Sequence, residues 1–352
     1  MSILYFCKKK YKLSNRNYLD DYSNTISKRI DMTMSGKYLS KYPLLNIDFS
    51  DLDKYPLKYY INEFENTIRK KYKINNEIVI GSGTNGILQN LVKIYVSNGD
   101  NLVTPFYTFN QLEYACSSLK AVTRRVYMDS EYINFDNIIK SIDKKTKLVY
   151  ICNPNNPTGI YIDSSKLMEL SKRIKKINRN TKLIIDESTI EFSKKESLLD
   201  YTLPNNVIVV RTLSKAYGIA NLRVGYMVCN NDVYKKYQEN TTINEVSSII
   251  CKIAINIIKS NFYKDNVKLV LKEREYLKRE LSNMGIETYK SDSNILLTKN
   301  TFTNKELKLI EDNEISIVKV KDIYNKVHIR IAVQDINTNR EFISILKKII
   351  NK

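Results

Sequence analysis

The sequence predicts an α/β fold, a mostly parallel central sheet with helices on both faces, followed by a smaller C-terminal α+β domain. Three observations carry this expectation. From Ile78 onward, short β-branched apolar runs alternate with longer amphipathic stretches, and strands buried on both faces, each followed by a helix, make a parallel layer fold. Near position 230 the alternation gives way to a long helical region and then to shorter strand-like segments. At 352 residues the chain has room for a large domain and a small companion. The expected division is an N-terminal arm over 1–49, a large domain over 50–235 and a small domain over 236–352, with the arm packing on the small domain or on a partner subunit.

Taken in order, residues 1 to about 50 are polar and lack sustained periodicity, which reads as an extended arm. Asn62 to Tyr72 has helical character. Ile78–Ile80 precedes a helix from about Ile87 to Val96, Leu102–Thr104 one near Gln111 to Leu119, and Leu148–Ile151 one from about Ser164 to Ile177. Leu183–Ile185 and Val207–Val210 continue the strand series. Beyond it, a helical region spans roughly Ile243 to Met284. Strand-like segments follow at Ser293–Thr298, Ile315–Val320 and Val327–Val333, then a closing helix from about Thr338 to Ile350.

Composition narrows the function classes. Hydrophobic residues at 43% and charged residues at 27% are ordinary for a globular chain and exclude long disorder. No apolar run approaches a membrane span, and lysines interrupt the apolar patch within Met1–Leu13, so neither an anchor nor a secretory leader is expected and the predicted location is the cytoplasm. Cys7, Cys116, Cys152, Cys229 and Cys251 stand singly, without the paired spacing of zinc sites or disulfide frameworks. One histidine, His328, leaves no Ser-His-Asp triad to build and reads as a structural residue of a C-terminal strand. The formal charge of +19 comes from lysines spread along the whole chain rather than clustered, so no nucleic-acid partner is expected. A positive field of this kind still favours small anions.

The residues able to do chemistry sit at the ends of the predicted strands. Gly81-Ser82-Gly83-Thr84-Asn85-Gly86 follows the first strand and opens a helix. Its glycines admit close backbone approach, and its free N–H groups suit a phosphate. The same pattern matches the GxGxxG of dinucleotide sites, which keeps a nicotinamide dehydrogenase in view. Against it, the next strand runs into Pro105-Phe106-Tyr107, and Asp100 is a poor ribose-binding acid. Tyr107 could stack on a planar ligand or cap the core.

Asn153-Pro154-Asn155-Asn156-Pro157-Thr158-Gly159 is a stiff turn that either ends a strand or presents a donor. Asp186 ends an apolar run, where a carboxylate is costly unless a cation meets it; a protonated pyridine nitrogen would, and capping of the next segment is the alternative. Lys215 lies in Thr212-Leu-Ser214-Lys215-Ala-Tyr-Gly, directly after a β-branched run, with Arg223 eight positions on. An amine beside hydroxyls and one fixed cation suits a Schiff-base lysine whose cofactor carries a phosphate, although a surface turn would read the same way. Each feature is ambiguous alone, and their co-occurrence at strand ends of one sheet points to one site.

In this order, the Asn-Pro-x-Asn-Pro-Thr-Gly, Asp-Glu and Ser-Lys-Ala-Tyr-Gly…Leu-Arg-Val-Gly-Tyr segments resemble fold-type I pyridoxal-phosphate (PLP) enzymes, the histidinol-phosphate aminotransferase group of class I/II aminotransferases in particular, over about residues 50–350. The resemblance implies the PLP transferase fold type I with pyridoxal 5'-phosphate as cofactor, Lys215 as Schiff-base lysine and proton shuttle, Asp186 on the pyridinium nitrogen, Asn156 on the ring 3-oxygen and Tyr107 stacked on the ring. It implies a phosphate site of Gly83, Thr84, Asn85, Thr212, Ser214 and Arg223, with Tyr55 reaching it across a homodimer interface, and Arg330 as the fork for an anionic substrate. Two positions depart from the pattern. Thr189 stands where the family has a tyrosine, and Asp31–Tyr38 does not show the N-terminal Asn-Glu-Asn-Pro segment. From these departures, retention of the cofactor and a substrate other than histidinol phosphate are expected. The implied reaction is transfer of an amino group from an amino acid, glutamate, to a small keto or phosphorylated acceptor. The alternative, from a likeness around Arg330, Asn337 and Asn339, is a threonine-phosphate decarboxylase-like activity.

Overall fold

The apolar runs assemble into a seven-stranded sheet in the order β2-β8-β7-β6-β5-β3-β4, in which β8 alone runs antiparallel to its neighbours. The structure is a computed structural model that describes residues 29–33, 49, 51–128, 132–241, 246–260, 262–322 and 324–350. The strands are β1 (Ile30–Asp31), β2 (Glu77–Gly81), β3 (Asn101–Pro105), β4 (Val122–Val126), β5 (Thr146–Cys152), β6 (Lys182–Asp186), β7 (Val207–Thr212) and β8 (Gly225–Cys229). The helices among them are α1 (Lys58–Tyr72), α2 (Gly83–Tyr95), α3 (Gln111–Ser118), α4 (Phe135–Lys140), α5 (Ser164–Ile177) and α6 (Asn231–Asn240).

Two strands escape the sequence pattern for opposite reasons. The sequence of β4, Val-Thr-Arg-Arg-Val, reads as polar because the strand lies at the open edge and keeps only Val126 buried. Every residue of β8 is buried, but Gly225-Tyr226 belongs to the segment read for its chemistry. The predicted helix from Ile243 to Met284 is two helices, α7 (Ser248–Lys259) and α8 (Phe262–Asn283). The Ser247 hydroxyl caps α7 by accepting from the Ile250 amide at 3.3 Å, and Ser260 ends it in an extended conformation; residues 242–245 lie outside the described residues.

The C-terminal part adds β9 (Ile295–Leu297), α9 (Asn304–Asp312), β10 (Ile315–Ser316), β11 (Val318–Lys321), β12 (Val327–Ala332) and α10 (Ile336–Ile350). The predicted strand at Ile315–Val320 is divided at Ile317. Its first half pairs in parallel with β1 and its second joins the antiparallel sheet β11-β12-β9. The described part of the N-terminal segment is thus anchored on the C-terminal elements, with the Ala332 amide donating to the Met32 carbonyl at 2.8 Å. Of the expected arm, residues 1–28 and 34–48 lie outside the described residues.

The period-2 alternation of the strands divides the core in two. On one face Leu148, Tyr150, Ile184, Ile208 and Val210 meet Ile87 and Leu91 of α2 and Leu112 of α3. On the other, Val149, Ile151, Leu183, Ile185 and Val209 meet Leu167 and Leu170 of α5 and Phe64 of α1. The second face also carries a buried charge cluster. Arg211 donates to Glu187 from Nε and Nη2, both at 3.0 Å, lies 3.8 Å from Glu191 and packs 4.8 Å over the Tyr72 ring. Glu187 additionally accepts from the Ser197 hydroxyl at 2.6 Å and the Leu198 amide at 2.8 Å. One guanidinium therefore serves two carboxylates, Glu187 fully buried and Glu191 nearly so. Arg211→Met leaves buried Glu187 without its cation and should lower unfolding free energy by about 3–5 kcal/mol in urea titration.

Candidate active site

At the carboxyl edge of the sheet, two rows of residues set the site. Gly81, Gly225 and Thr212 stand side by side at the ends of β2, β8 and β7, and Cys152, Asp186 and Val210 do so across β5, β6 and β7. Parallel strands followed by turns bring their functional residues to this edge.

The first row builds a cradle. Gly83 takes φ +68° as α2 begins, a conformation that L side chains rarely adopt. A Cβ there would lie 2.8 Å from Nη2 of Arg223, and a Cβ on Gly225 would lie 3.1 Å from the Thr84 amide nitrogen. The bare glycines thus let the guanidinium and the helix start close together. The Thr212 and Ser214 hydroxyls are 2.9 Å apart, and Arg223 Nη1 reaches Ser214 Oγ at 3.5 Å. With Thr84 and Asn85 in the first turn of α2, these groups present N–H donors, hydroxyls and one cation in one place, which is what a phosphate needs.

Asp186 is buried on the face opposite the charge cluster. Its Oδ2 accepts from the Tyr150 hydroxyl at 2.8 Å and its Oδ1 from the Ser188 amide at 2.9 Å. Burial lifts its pKa above the usual carboxylate value, and the donors from Ser188 and Tyr150 work against that rise.

Lys215 lies in the loop from β7 to β8. That loop is held by Leu213 N–H to the Val224 carbonyl at 3.2 Å, Ile219 N–H to the Leu213 carbonyl at 3.3 Å, and the buried Asn266 amide of α8 to the Ala216 carbonyl at 3.0 Å. Tyr217 stacks on Tyr263 with ring centres 4.8 Å apart. Burial first, then the positive charges of Arg330 and Arg223, push the Lys215 amine down to about 8 from an ordinary 10.5, with Asp186 opposing. These three charges all bear on one amine, so Lys215 lies within electrostatic reach of each.

The asparagine turn closes the site toward the C-terminal sheet. Asn155 is fixed by bonds to the Tyr107 carbonyl at 2.9 Å and to the Thr108 hydroxyl at 3.0 Å. Asn156 Oδ1 instead accepts from Arg330 Nη1 at 3.2 Å, and Arg330 Nη2 donates to the Thr33 carbonyl. Gly159 adopts φ +78° against Ser291, whose Cα would lie 3.2 Å from an added Cβ, and the Asp292 amide donates to the Gly159 carbonyl at 2.7 Å.

Other expected residues fall less centrally. Tyr107 follows β3, in edge contact with Phe106 at 4.9 Å, and Tyr55 is 87% exposed just before α1. Thr189 opens the short turn Ile190–Phe192. His328 points its Nδ1 at the Thr298 carbonyl at 3.0 Å, a structural position. The dinucleotide alternative fails on topology. The strand before Gly81–Gly86 is the outermost of the sheet and pairs only with antiparallel β8, whereas a dinucleotide crevice opens between central parallel strands.

Known proteins resemble this chain in sequence and in fold. The family pattern "Aminotransferase class I and II" matches residues 8–346. The chain belongs to the class I and II aminotransferase family. A histidinol-phosphate aminotransferase of Caldanaerobacter subterraneus is 30% identical over 278 residues, covering 78% of each chain, and one of Methanosphaera stadtmanae is 30% identical over 318 residues, covering 85% of this chain and 83% of that one. Among solved structures, histidinol-phosphate aminotransferase from Sinorhizobium meliloti, in complex with pyridoxal 5'-phosphate, superposes with a TM-score of 0.83 at 18% identity over 95% of both chains. The enzyme from Clostridium acetobutylicum gives 0.81 at 21% identity over 92% of this chain and 99% of that one. These last two likenesses speak for the fold, PLP fold type I. As a class I and II aminotransferase the chain is a PLP-dependent enzyme, and its residues fit that cofactor: a cradle too tight for a Cβ, a buried carboxylate and one amine of lowered basicity.

Two participants were not legible as site residues. Tyr150 looks like one more core residue of β5, and its only sequence signal is a phenol in an otherwise aliphatic run, two positions before Cys152. Thr33 takes part through its backbone carbonyl, which no side-chain pattern announces. The lowered Lys215 value has a direct readout. In the protein free of cofactor, labelling of Lys215 by an amine-reactive reagent should rise through about pH 8, where surface lysines still resist, because the neutral amine is the nucleophile. Arg330→Gln removes a repelling charge and should move that rise upward by up to about one pH unit, read by peptide mass mapping.

Proposed function

We propose that the chain moves an amino group between an amino acid, with glutamate as donor, and a small keto or phosphorylated acceptor, the keto counterpart of an amine of the histidinol-phosphate type, with Lys215 as the covalent anchor of the cofactor. The observation that carries this reading is the position of the Lys215 amine within reach of Arg223, Arg330 and Asp186 together. When bound, PLP supplies a carbonyl carbon for amines to add to and a ring that draws electrons from the substrate α-carbon.

The chain supplies the rest. The amides of Gly83, Thr84 and Asn85, the Thr212 and Ser214 hydroxyls and Arg223 bind the phosphate. Asp186 keeps the ring nitrogen protonated, and Tyr107 stacks on the ring. Because Asn156 gives its Oδ1 to Arg330, its amide NH₂ is the group left to donate to the ring 3-oxygen. Lys215 Nζ takes the proton from the substrate α-carbon and returns it at the neighbouring carbon, as a lysine of lowered basicity can near neutral pH. Arg330 binds the substrate anion, which takes over the Nη2 donor now given to the Thr33 carbonyl.

The exclusion of histidinol phosphate expected from Thr189 and from Asp31–Tyr38 finds no support in the relatives, which bear that name. The relatives reported above are aminotransferases, so the carboxy-lyase alternative is not carried forward. The division into an arm over 1–49, a large domain over 50–235 and a small domain over 236–352 belongs to the same proposal. So does a cytoplasmic location, which suits four free, buried cysteines, Cys116, Cys152, Cys229 and Cys251; among the described residues no helix is long and apolar enough to cross a membrane.

We further propose a homodimer in which Tyr55 reaches the partner's phosphate. Tyr55 stands among exposed Phe49, Leu52 and Tyr59, each more than half accessible in the single chain, and a cluster of large apolar groups is unusual on a surface that stays free.

The exchange is reversible and is tested in its reverse direction, by supplying histidinol phosphate, and a panel of other phosphorylated amines, with 2-oxoglutarate as acceptor and measuring glutamate. Formation of glutamate is expected, with Lys215→Ala slower by about 10²–10⁴-fold or more; a wild-type rate from that variant would falsify the role of Lys215. The dimer is tested by mixing two inactive proteins, Lys215→Ala and Tyr55→Ala, under exchange. Hybrid dimers contain one intact site each, so activity should return. If the mixture stays as inactive as its components, Tyr55 does not act across an interface.

A further inference from the structure

Tyr150 is 1% exposed, and its ring lies among Leu148, Ile184, Ile208 and Val210. A phenylalanine would fill this aliphatic face as well, so the hydroxyl calls for its own explanation. A buried phenol needs a partner, and this one has two within reach, Asp186 Oδ2 at 2.8 Å and Cys152 Sγ at 3.1 Å. The carboxylate is the stronger acceptor, and the bond to it is the charge-assisted one. Burial, together with Asp186 and Cys152, holds the Tyr150 pKa well above its ordinary value, so the phenol stays protonated and remains a donor at any working pH.

We propose that Tyr150 is a positioning residue for the cofactor, holding Asp186 ionised and in one rotamer so that the carboxylate can keep the pyridine nitrogen protonated. This rests on the role given to Asp186 above. The carboxylate lies in a site where burial favours its neutral form, and a neutral Asp186 would be the wrong partner for a ring nitrogen that must carry a proton. The titratable groups bearing on it are Tyr150 and Cys152 from β5, Glu187 beside it in the chain, and Lys215 from the β7–β8 loop. Glu187 is occupied on the other face by Arg211, and burial pushes the Cys152 thiol up to about 12, so neither offers Asp186 a positive charge. Ser188, two residues on in the same turn, holds Asp186 Oδ1 from its backbone N–H and also favours the charged form with its hydroxyl, whereas Tyr150 is the donor that a neighbouring strand gives to Oδ2.

The sign of the pH effect follows. Cofactor binding needs ionised Asp186, so affinity is present above the Asp186 pKa and falls as pH drops through it. Loss of the Tyr150 donor raises that pKa, and the acid limb moves up. The experiment measures the PLP dissociation constant against pH for wild type, Tyr150→Phe and Asp186→Asn, and repeats it with 1-deaza-PLP, in which carbon replaces the ring nitrogen. Tyr150→Phe should move the acid limb upward by about one to two pH units, read on the limb as about ten- to hundredfold weaker binding. With the deaza analogue, which has no nitrogen to pair, that loss should be absent.

A limb that coincides with wild type, or an equal loss with both cofactors, overturns the proposal in favour of a purely structural hydroxyl. If Asp186→Asn itself leaves the limb in place, the role of Asp186 fails first; if it abolishes the limb while Tyr150→Phe does not move it, only Tyr150 is misassigned. Should Tyr150→Phe not fold, 3-fluorotyrosine placed at position 150 retains the ring and makes a stronger donor. The limb must then move downward, and an unmoved limb overturns the proposal equally.

Discussion

Consecutive carboxylates at the end of β6, Asp186 and Glu187, constrain much of what surrounds them. Both are buried, and a buried carboxylate is costly without donors or a cation. Strand geometry sends them to opposite faces of the sheet, so two separate solutions are needed. On one face Glu187 takes Arg211, which is held in turn by Tyr72 and shared with Glu191. On the other, Asp186 is hydrogen-bonded by neutral donors, Tyr150 and Ser188, with the Lys215 amine in electrostatic reach but not paired with it. The two carboxylates differ in that the chain bonds a cation directly to Glu187 and none to Asp186.

The same alternation runs through β7, where Arg211 faces the structural cluster and Thr212 faces the cradle. One residue further along each strand, the sheet has changed from core to site. Two positive charges bear on the site, Arg223 from the β7–β8 loop and Arg330 from β12 of the C-terminal sheet. Lys215 feels both, and its amine is less basic for it. A ligand with an anionic group at each end would be oriented by this arrangement before any bond is made, which is where much of the advantage of a bound reaction arises.

The layer order was legible because buried parallel strands announce themselves as unbroken β-branched runs, as in Leu148–Ile151 and Val207–Val210. The site was legible because its members are punctuation at the ends of those runs: Gly83, the Asn153–Gly159 turn, Asp186 and Lys215. Where the pattern was silent, tertiary context had taken over. An edge strand need not be apolar, which hid β4. A serine whose hydroxyl caps a helix looks from outside like any other polar residue, which hid the start of α7. Tyr150 was hidden because a hydroxyl's partner, unlike a strand's periodicity, is set by residues distant in sequence, and Thr33 because a carbonyl carries no residue identity.

Thr33, Asn156 and Arg330 meet at one point although 297 residues separate the outer pair and 174 the inner one. Their meeting imposes an order of assembly. While the chain is being made, strands β2 to β8 can pair once Cys229 is available, and the cradle around Gly83 and Arg223 with them. The contact among Thr33, Asn156 and Arg330 cannot form until β12 has been synthesised, since Arg330 is carried there. A nascent chain would thus hold a finished glycine cradle, with the Thr33 carbonyl still waiting for Arg330 and β1 still without β10 to pair with. Domain-wise folding from the N-terminus carries this kind of risk, and a ribosome-bound intermediate of this protein is where a chaperone would have the most surface to cover.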